Sequence, residues 1–405
     1  MGEQPQSNRY LGATPPVATP PERGERFWVE RPEELARAAE YLAAAQVVAI
    51  DAEFAQGRPT DPEPSRQKLA LLQMATDRAC YLIDVLRLAD LSPLAAVIED
   101  PLILKLFHGL GADAKMLAGR GLGVTHTCDV EAASRSVFGS GESSLGAMLE
   151  RAFGVRLDKS WQRSDWSHRP LSPAMLAYAA RDAEMTLALY HWLQQHYPWA
   201  VALHTDSGSP ASEESTRLPV WLEALVEGGR QLPPEVAVVE AGLADDVAGQ
   251  TRDCGLGLAL LRHPGRRARL MRVISDLGLV QLAPQMLPAL AAPASEERAA
   301  AARTLGRLGR LGAPGIDDAQ ERVTALLNDP VADVRKAATL ALGWLKSEAA
   351  SANGPSFAVR KPGQGGANTW TVGTSAAEPE AAGDDWKAAL RALMGAPDDP
   401  PSNNE

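Results

Sequence analysis

Two carboxylates stand one residue apart at the end of an apolar run: VVAIDAEF, Val47 to Phe54, carries Asp51 and Glu53 at i and i+2. In an extended strand successive side chains alternate between faces, so these two acids share one. Side by side at a strand end they repel each other, and a bound cation would neutralise them. The alternative is a strand that has simply reached solvent. Further acids follow. In YAARD, Tyr178 to Asp182, helical spacing puts phenol and carboxylate on one face, although a surface Tyr–Asp pair has the same spacing. In LFHGLGADAKML, Asp113 follows His108 and opens a helix, an ordinary place for an acid.

The elements that must position these groups are legible in outline. A helix over 31–46, entered through Pro32, leads into the 47–54 strand. GRPTDPEPSR, 57–66, reads as a loop, and strands at 68–75 and 79–85 complete a three-stranded meander. Helices at 93–99 and 112–118 then alternate with strands at 102–108 and 125–128, the signature of parallel strands with crossover helices. Helices at 130–138 and 145–152 precede the polar segment DKSWQRSDWSHRPLS, and a long helix over 173–196 carries Tyr178 and Asp182. The domain is expected over 26–199.

Residues 1–25 are predicted disordered and 200–235 a linker, with a helical stretch at 220–226. From 236 to 346 Ala-Leu-rich amphipathic helices recur. The last begins DPVADVRKAATLALGWL, a turn, Asp-Val-Arg and an Ala-rich helix, which resembles HEAT-type repeats; such repeats bury their faces only by stacking. Residues 347–405 are predicted disordered except for DWKAALRALM, 385–394, whose apolar face would dock on a partner or on the chain itself.

With 405 residues, 45% hydrophobic and 22% charged, the chain has the composition of a globular protein of two or three domains. Cys80, Cys128 and Cys254 are widely separated, so neither a disulfide framework nor a zinc site is indicated. There is no secretory-type apolar core at the start and no run reaching the ~18 apolar residues of a membrane span, so the expected location is cytoplasmic with no membrane partner. The net charge of -11 argues against a generally basic nucleic-acid binder. The charge is uneven, however, and carboxylates that bind metal would not repel a polyanion.

Taken together, DxE on a strand, FHxxxxD before a helix and YxxxD on a later helix resemble the DEDD exonucleases of the tyrosine subclass. Residues 143–190, SSLGAMLERAFGVRLDKSWQRSDWSHRPLSPAMLAYAARDAEMTLALY, are similar to the ribonuclease D branch. The resemblance covers 27–197. It implies an α/β ribonuclease-H-like domain, a mixed central sheet flanked by helices, here followed by a C-terminal α-helical HEAT-like solenoid. It also implies two divalent cations, Mg²⁺ or Mn²⁺, held by Asp51, Glu53, Asp113 and Asp182, with Tyr178 orienting the attacking water. Two cations suit phosphodiester hydrolysis, and hard oxygen ligands suit these ions.

The implied activity is 3′→5′ exoribonuclease action releasing nucleoside 5′-monophosphates, in RNA processing (tRNA precursors) or turnover. The alternatives are a 3′→5′ DNA exonuclease with the same site and a non-catalytic HEAT-repeat scaffold. RNA is favoured over DNA as partner, with a protein partner for the repeats or the 385–394 helix as a further expectation. Lys159, Gln162, Arg163 and Arg169 are expected to contact substrate phosphates or the terminal nucleotide. His108 would support the site by hydrogen bonding and Phe54 by packing or base stacking. Trp161 and Trp166 stack on bases or anchor their loop. Two departures stand out: Ala52 replaces the family's usual threonine, and nothing after residue 200 resembles the helical nucleic-acid-binding domains usual in ribonuclease D. Arg266, Arg267, Arg269 and Arg272 form a basic cluster in that region, read either as a solvated helix face or as a hold on RNA.

Overall fold

The computed structural model describes residues 15–20, 24–55, 68–157, 160–162, 164–206, 218–227 and 232–347. Lys159, Arg163, the 57–66 loop and the 385–394 helix lie outside the described residues. All described residues belong to one compact unit, 1–350.

The chain opens with β1 (Glu25–Val29), α1 (Pro32–Ala43), β2 (Val47–Ala55), β3 (Lys68–Ala75) and β4 (Ala79–Asp84). There follow α2 (Ala95–Ile98), β5 (Leu104–Phe107), α3 (Leu110–Ala118), β6 (Thr127–Asp129), α4 (Val130–Phe138) and α5 (Leu145–Phe153). The long helix α6 (Pro173–His196), α7 (Pro198–Leu203) and β7 (Thr205–Asp206) complete the sheet region. The seven strands run β1-β4-β3-β2-β5-β6-β7. β2, β3 and β4 form the antiparallel meander, and β5 and β6 continue parallel to β2, as their crossover helices require.

Two elements differ from expectation. β1, at the boundary between the stretch expected to be disordered and the domain, where no element was expected, pairs parallel to β4. Its five residues are too few for a periodicity to stand out, and pairing with β4 supplies what the segment lacks alone. At the other end, residues 198–206 fall partly in the expected linker, yet they form α7 and an edge strand antiparallel to β6. Residues 15–20 also lie against α5, where Ala18 donates its backbone N–H to the Ala152 carbonyl at 2.8 Å.

Each face of the sheet is covered. Val48 and Ile50 of β2 pack with Leu35 and Leu42 of α1 on one face. Ala49 and Ala55 of β2 pack with Ala179, Ala180 and Ala183 of α6 on the other. Small residues on both sides let α6 lie close across β2, β3 and β4. Two ion pairs pin it. Arg26 on β1 grips Glu184 of α6 through two bonds of 2.7 and 2.6 Å. Just before the helix, Arg169 grips Asp84, at the end of β4, at 2.7 and 2.8 Å. The remaining Arg169 donors reach the carbonyls of Trp166, His168 and Ala70 at 2.8 to 3.0 Å. Ser172 then caps α6 by accepting from the Met175 N–H.

Beyond the sheet come α8 (Val220–Val226), α9 (Pro234–Glu240), α10 (Val247–Leu260), α11 (Pro264–Asp276), α12 (Ala283–Met286), α13 (Ser295–Gly309), α14 (Ile316–Ala325) and α15 (Ala332–Ser347). Leu222 and Val226 of α8 are fully buried in the core of this helical region, so the helix expected within the linker belongs to it. α11, α13 and α15 stack in register. Arg267 of α11 binds Glu297 of α13 at 2.6 Å, and Arg298 of α13 binds buried Asp329 before α15 at 2.8 Å. A side chain at Gly306 would meet the Ala341 backbone at 2.6 Å, so the closeness of α13 and α15 depends on this glycine. The starts of α13 and α15 also touch the sheet region: Ser136 of α4 donates to Glu296 at 2.7 Å, and Ser140 to Asp333 at 2.6 Å.

Asp84 is fully buried, and without Arg169 its carboxylate keeps only the Leu86 N–H at 3.1 Å and, at 3.7 Å, the exposed Arg87. Arg169→Ala is expected to lower stability by about 3 kcal/mol in urea unfolding. A loss below about 1 kcal/mol would mean that the pair behaves as an exposed one.

Candidate active site

Asp51 and Glu53 leave β2 on the α6 side of the sheet, while Ala52 and Phe54 pack with the opposite layer. A register shift between Glu53 and Phe54 against β3 falls at this point. Tyr178 and Asp182 come from the face of α6 turned to β2. Asp51, Glu53 and Asp182 each offer a carboxylate oxygen, and the three atoms lie within 4.8 Å of one another. This is the convergence that i, i+2 on a strand and i, i+4 on a helix make available once the helix lies across the strand.

Asp113 arrives from the first turn of α3, and the turn before it is built for the purpose. Gly109 adopts φ +96°, a left-handed conformation that a side chain would strain. Its N–H and that of Leu110 donate to the two oxygens of Asp129, at 3.1 and 3.2 Å, while Asp129 also caps α4 through the Ala132 N–H at 3.0 Å. One carboxylate thereby fixes the starts of two helices. Beside it, His108 Nε2 bonds the Ser143 carbonyl at 3.1 Å.

The electrostatics are those of like charges crowded out of water. Burial foremost, then repulsion from Asp182 and Asp113, pushes the Asp51 carboxyl well above its usual range. Glu53 is pushed up to about 9 by burial and then by Asp51, Asp182 and Asp113. Asp113 rises to about 7, through burial and then the Asp129 charge. Burial lifts Asp182 to about 6 against the opposing effects of Tyr178 and Arg181. The Tyr178 phenol is raised, first by burial and then by Asp182, so it stays protonated and donates toward that carboxylate. Trp166, 1% exposed, lies 6.2 Å from the Tyr178 ring centre to centre and anchors the loop before α6.

The substrate-contacting set fares differently. Arg169 does not reach outward: all five of its N–H donors are engaged by Asp84 and three carbonyls, which corrects its expected role as a phosphate contact. Its sequence position among polar residues could not disclose a buried partner on β4. Gln162 is exposed, Trp161 half-buried and Phe54 half-buried on the layer away from the carboxylates. Two site residues escaped the sequence reading. Asp129 had a signal, an acid directly before a helical pattern. Gln73, opposite Asp51 on β3, is fully buried with neither amide atom partnered among the described residues. A lone polar residue in the apolar run KLALLQMA was its only mark.

Residues 27–197 match the family model of a 3′–5′ exonuclease, and residues 283–353 that of HEAT repeats. Protein RRP6-like 3 of Arabidopsis thaliana is 33% identical over 209 residues, 50% of this chain and 21% of that protein. Ribonuclease D of Haemophilus influenzae is 30% identical over 163 residues, 39% of this chain and 40% of that protein. Among solved structures, Escherichia coli RNase D is 22% identical and covers 78% of this chain and 76% of its own, with a TM-score of 0.40. The chain thus spans about a fifth and two fifths of the length of these two curated relatives. Residues 27–197 form a 3′–5′ exonuclease domain of the ribonuclease D and RRP6 kind, joined to a C-terminal run of HEAT repeats.

Proposed function

We propose that the protein is a divalent-metal-dependent 3′→5′ exoribonuclease that releases nucleoside 5′-monophosphates from RNA, precursor tRNAs among its substrates. The observation that carries this reading is the meeting of Asp51, Glu53 and Asp182 within 4.8 Å, with Asp113 close enough to raise the charge cost of both β2 acids. The donor set fits hard cations: it is all carboxylate, and Asp182 Oδ1 is buried without a partner among the described residues. Asp51, Glu53 and Asp182 would hold one Mg²⁺ or Mn²⁺, and Asp51 with Asp113 a second. Bound there, the pair would activate a water and stabilise the leaving 3′ oxygen.

The chain's own groups do the rest. Tyr178, kept protonated by burial and packed on Trp166, directs its hydroxyl at the Asp182 carboxylate, where it orients the attacking water rather than taking its proton. Buried Gln73 beside Asp51 excludes solvent from behind the site. RNA as substrate is supported by the name of one of the relatives, ribonuclease D. His108 and Gln162, with Lys159 and Arg163 outside the described residues, would contact the terminal nucleotides, whereas Phe54, on the opposite layer, would serve by packing under β2.

The metal-free protein should become less stable as pH rises. Folded, Glu53 holds its proton to about 9 and Asp113 to about 7, whereas unfolded chains release theirs near 4.5 and 3.8. Between those values the unfolded state binds fewer protons, so stability falls with pH across that window. A cation takes the protons' place, so the rise in Tm given by Mn²⁺ should be larger at about pH 8.5 than at about pH 5.5. Asp51→Asn should remove most of that rise and increase the metal-free Tm; a rise that does not depend on pH would reject the carboxylates as ligands.

With Mn²⁺ or Mg²⁺, labelled RNA should shorten from its 3′ end, and Asp51→Asn should slow this by roughly 10³-fold or more. Tyr178→Phe should cost roughly 10²-fold in kcat and leave the metal-induced rise in Tm intact. DNA of the same sequence, degraded at an equal or greater rate, would reassign the substrate.

A further inference from the structure

Between the sheet region and the first stacked helix lies a cavity of about 770 Å³ that none of the catalytic residues uses. One wall is the β6–α4 edge with the start of α3; the other is α11. The α11 wall presents Arg266, Arg269 and Arg272 at i, i+3 and i+6, which is one helix face, and α4 presents Arg135 opposite them. Arg267, between them in sequence, is turned into the repeat core and bound to Glu297.

These cations are under-compensated. Arg135 and Arg272 have no side-chain hydrogen bond or salt bridge among the described residues. Arg266 reaches the exposed Glu227 through one nitrogen while its buried Nε has no partner. Arg269 donates its Nε to the Val226 carbonyl at 2.5 Å and lies between Arg266 and Arg272, whose charges, after burial, disfavour its own more than Glu227 favours it. Three acids also line the cavity, one fewer than its four arginines. Asp129 already accepts from three backbone N–H groups, and Glu296 accepts from Ser136. Asp206 stands exposed at the rim. Crowding like charges on a fold is unfavourable unless an anion occupies the space between them.

The cavity also borders the element that carries Asp113. Leu110 lines it, and Asp113 lies three residues further along α3, roughly 4.5 Å of helix rise. Asp129, in the wall, is near enough for its charge to be felt at Asp113. Beyond Arg272, Arg303 on α13 continues the basic line, its charge disfavoured by burial and then by Arg272.

We propose that this groove holds the sugar-phosphate backbone of single-stranded RNA whose 3′ end lies in the carboxylate site, with Arg135 and Arg272 as phosphate contacts. The nature of the polymer rests on the exoribonuclease reading above; the groove and its charge do not. The repeats then take the role of a nucleic-acid-binding domain beside the exonuclease domain. Spaced guanidinium groups along a groove suit a backbone of regularly spaced phosphates, and they carry no base readout.

Binding is measured by fluorescence anisotropy in EDTA, so that no strand is cut, using the full chain and a labelled single-stranded RNA long enough to pass Arg272. Each lost phosphate contact should lower the slope of log K against log salt by about 0.7. Arg272→Ala, an exposed residue whose loss leaves nothing unpaired, should show that change alone, and with Arg135→Ala the slope should fall by about 1.4 and Kd rise by about tenfold. Arg322→Ala on α14, away from the groove, serves as the control and should change neither. Unaltered affinity and slope in both groove variants, or no RNA binding by the parent protein, overturns the proposal. So does a loss of affinity for a poly-glutamate peptide with RNA binding intact, which would assign the groove to an acidic protein. Hydrolysis of the same RNA with Mn²⁺ is read in parallel. Cleavage by the parent with unchanged binding in the variants defeats the groove alone, and weakened binding without any cleavage defeats the exoribonuclease reading alone.

Discussion

Carboxylates driven together out of water repel, and the sheet region of this protein is arranged so that they cannot move apart. Asp51 and Glu53 are fixed by the pleat of β2, Asp182 by a helix laid across it and Asp113 by a capped turn. The cost appears as raised pKa values for all four acids. A site of this kind stores unfavourable energy that a bound divalent cation would release, so the residues that would hold a metal are those whose charges are costly without one.

Holding that arrangement requires anchors remote from it. The Arg26–Glu184 and Arg169–Asp84 pairs clamp the two ends of the region around α6, and alanines at the helix–sheet contact set how near Asp182 comes to Asp51. Asp129 does comparable work for Asp113 by satisfying backbone N–H groups at the start of α3 and α4 together. None of these groups performs chemistry. Each converts a local conformation into a fixed distance.

The repeats extend the same logic to a larger scale. Their stacking is secured inside by Arg267–Glu297 and Arg298–Asp329, one arginine per interface, and by the close approach at Gly306. With those inward arginines accounted for, the outward ones on α11 are left facing the exonuclease domain across the groove. Because Ser136 and Ser140 bond Glu296 and Asp333, the two regions share an interface within a single compact unit.

Much of this was written in the order of residues. Period two in VVAIDAEF paired Asp51 with Glu53, period 3.6 in YAARD paired Tyr178 with Asp182, and the 173–196 helix has the bounds its pattern indicated. Local sequence determines such things because neighbouring side chains are placed by backbone geometry alone. It could not determine that Arg169 meets Asp84, that Gln73 lies buried opposite Asp51, that Glu25–Val29 joins the far edge of the sheet, or that Arg267 points inward while Arg272 stays exposed. Those depend on contacts between segments far apart in the chain, and a charged side chain reads the same in sequence whether its partner is water or a buried carboxylate. Only the tertiary fold supplies the partner.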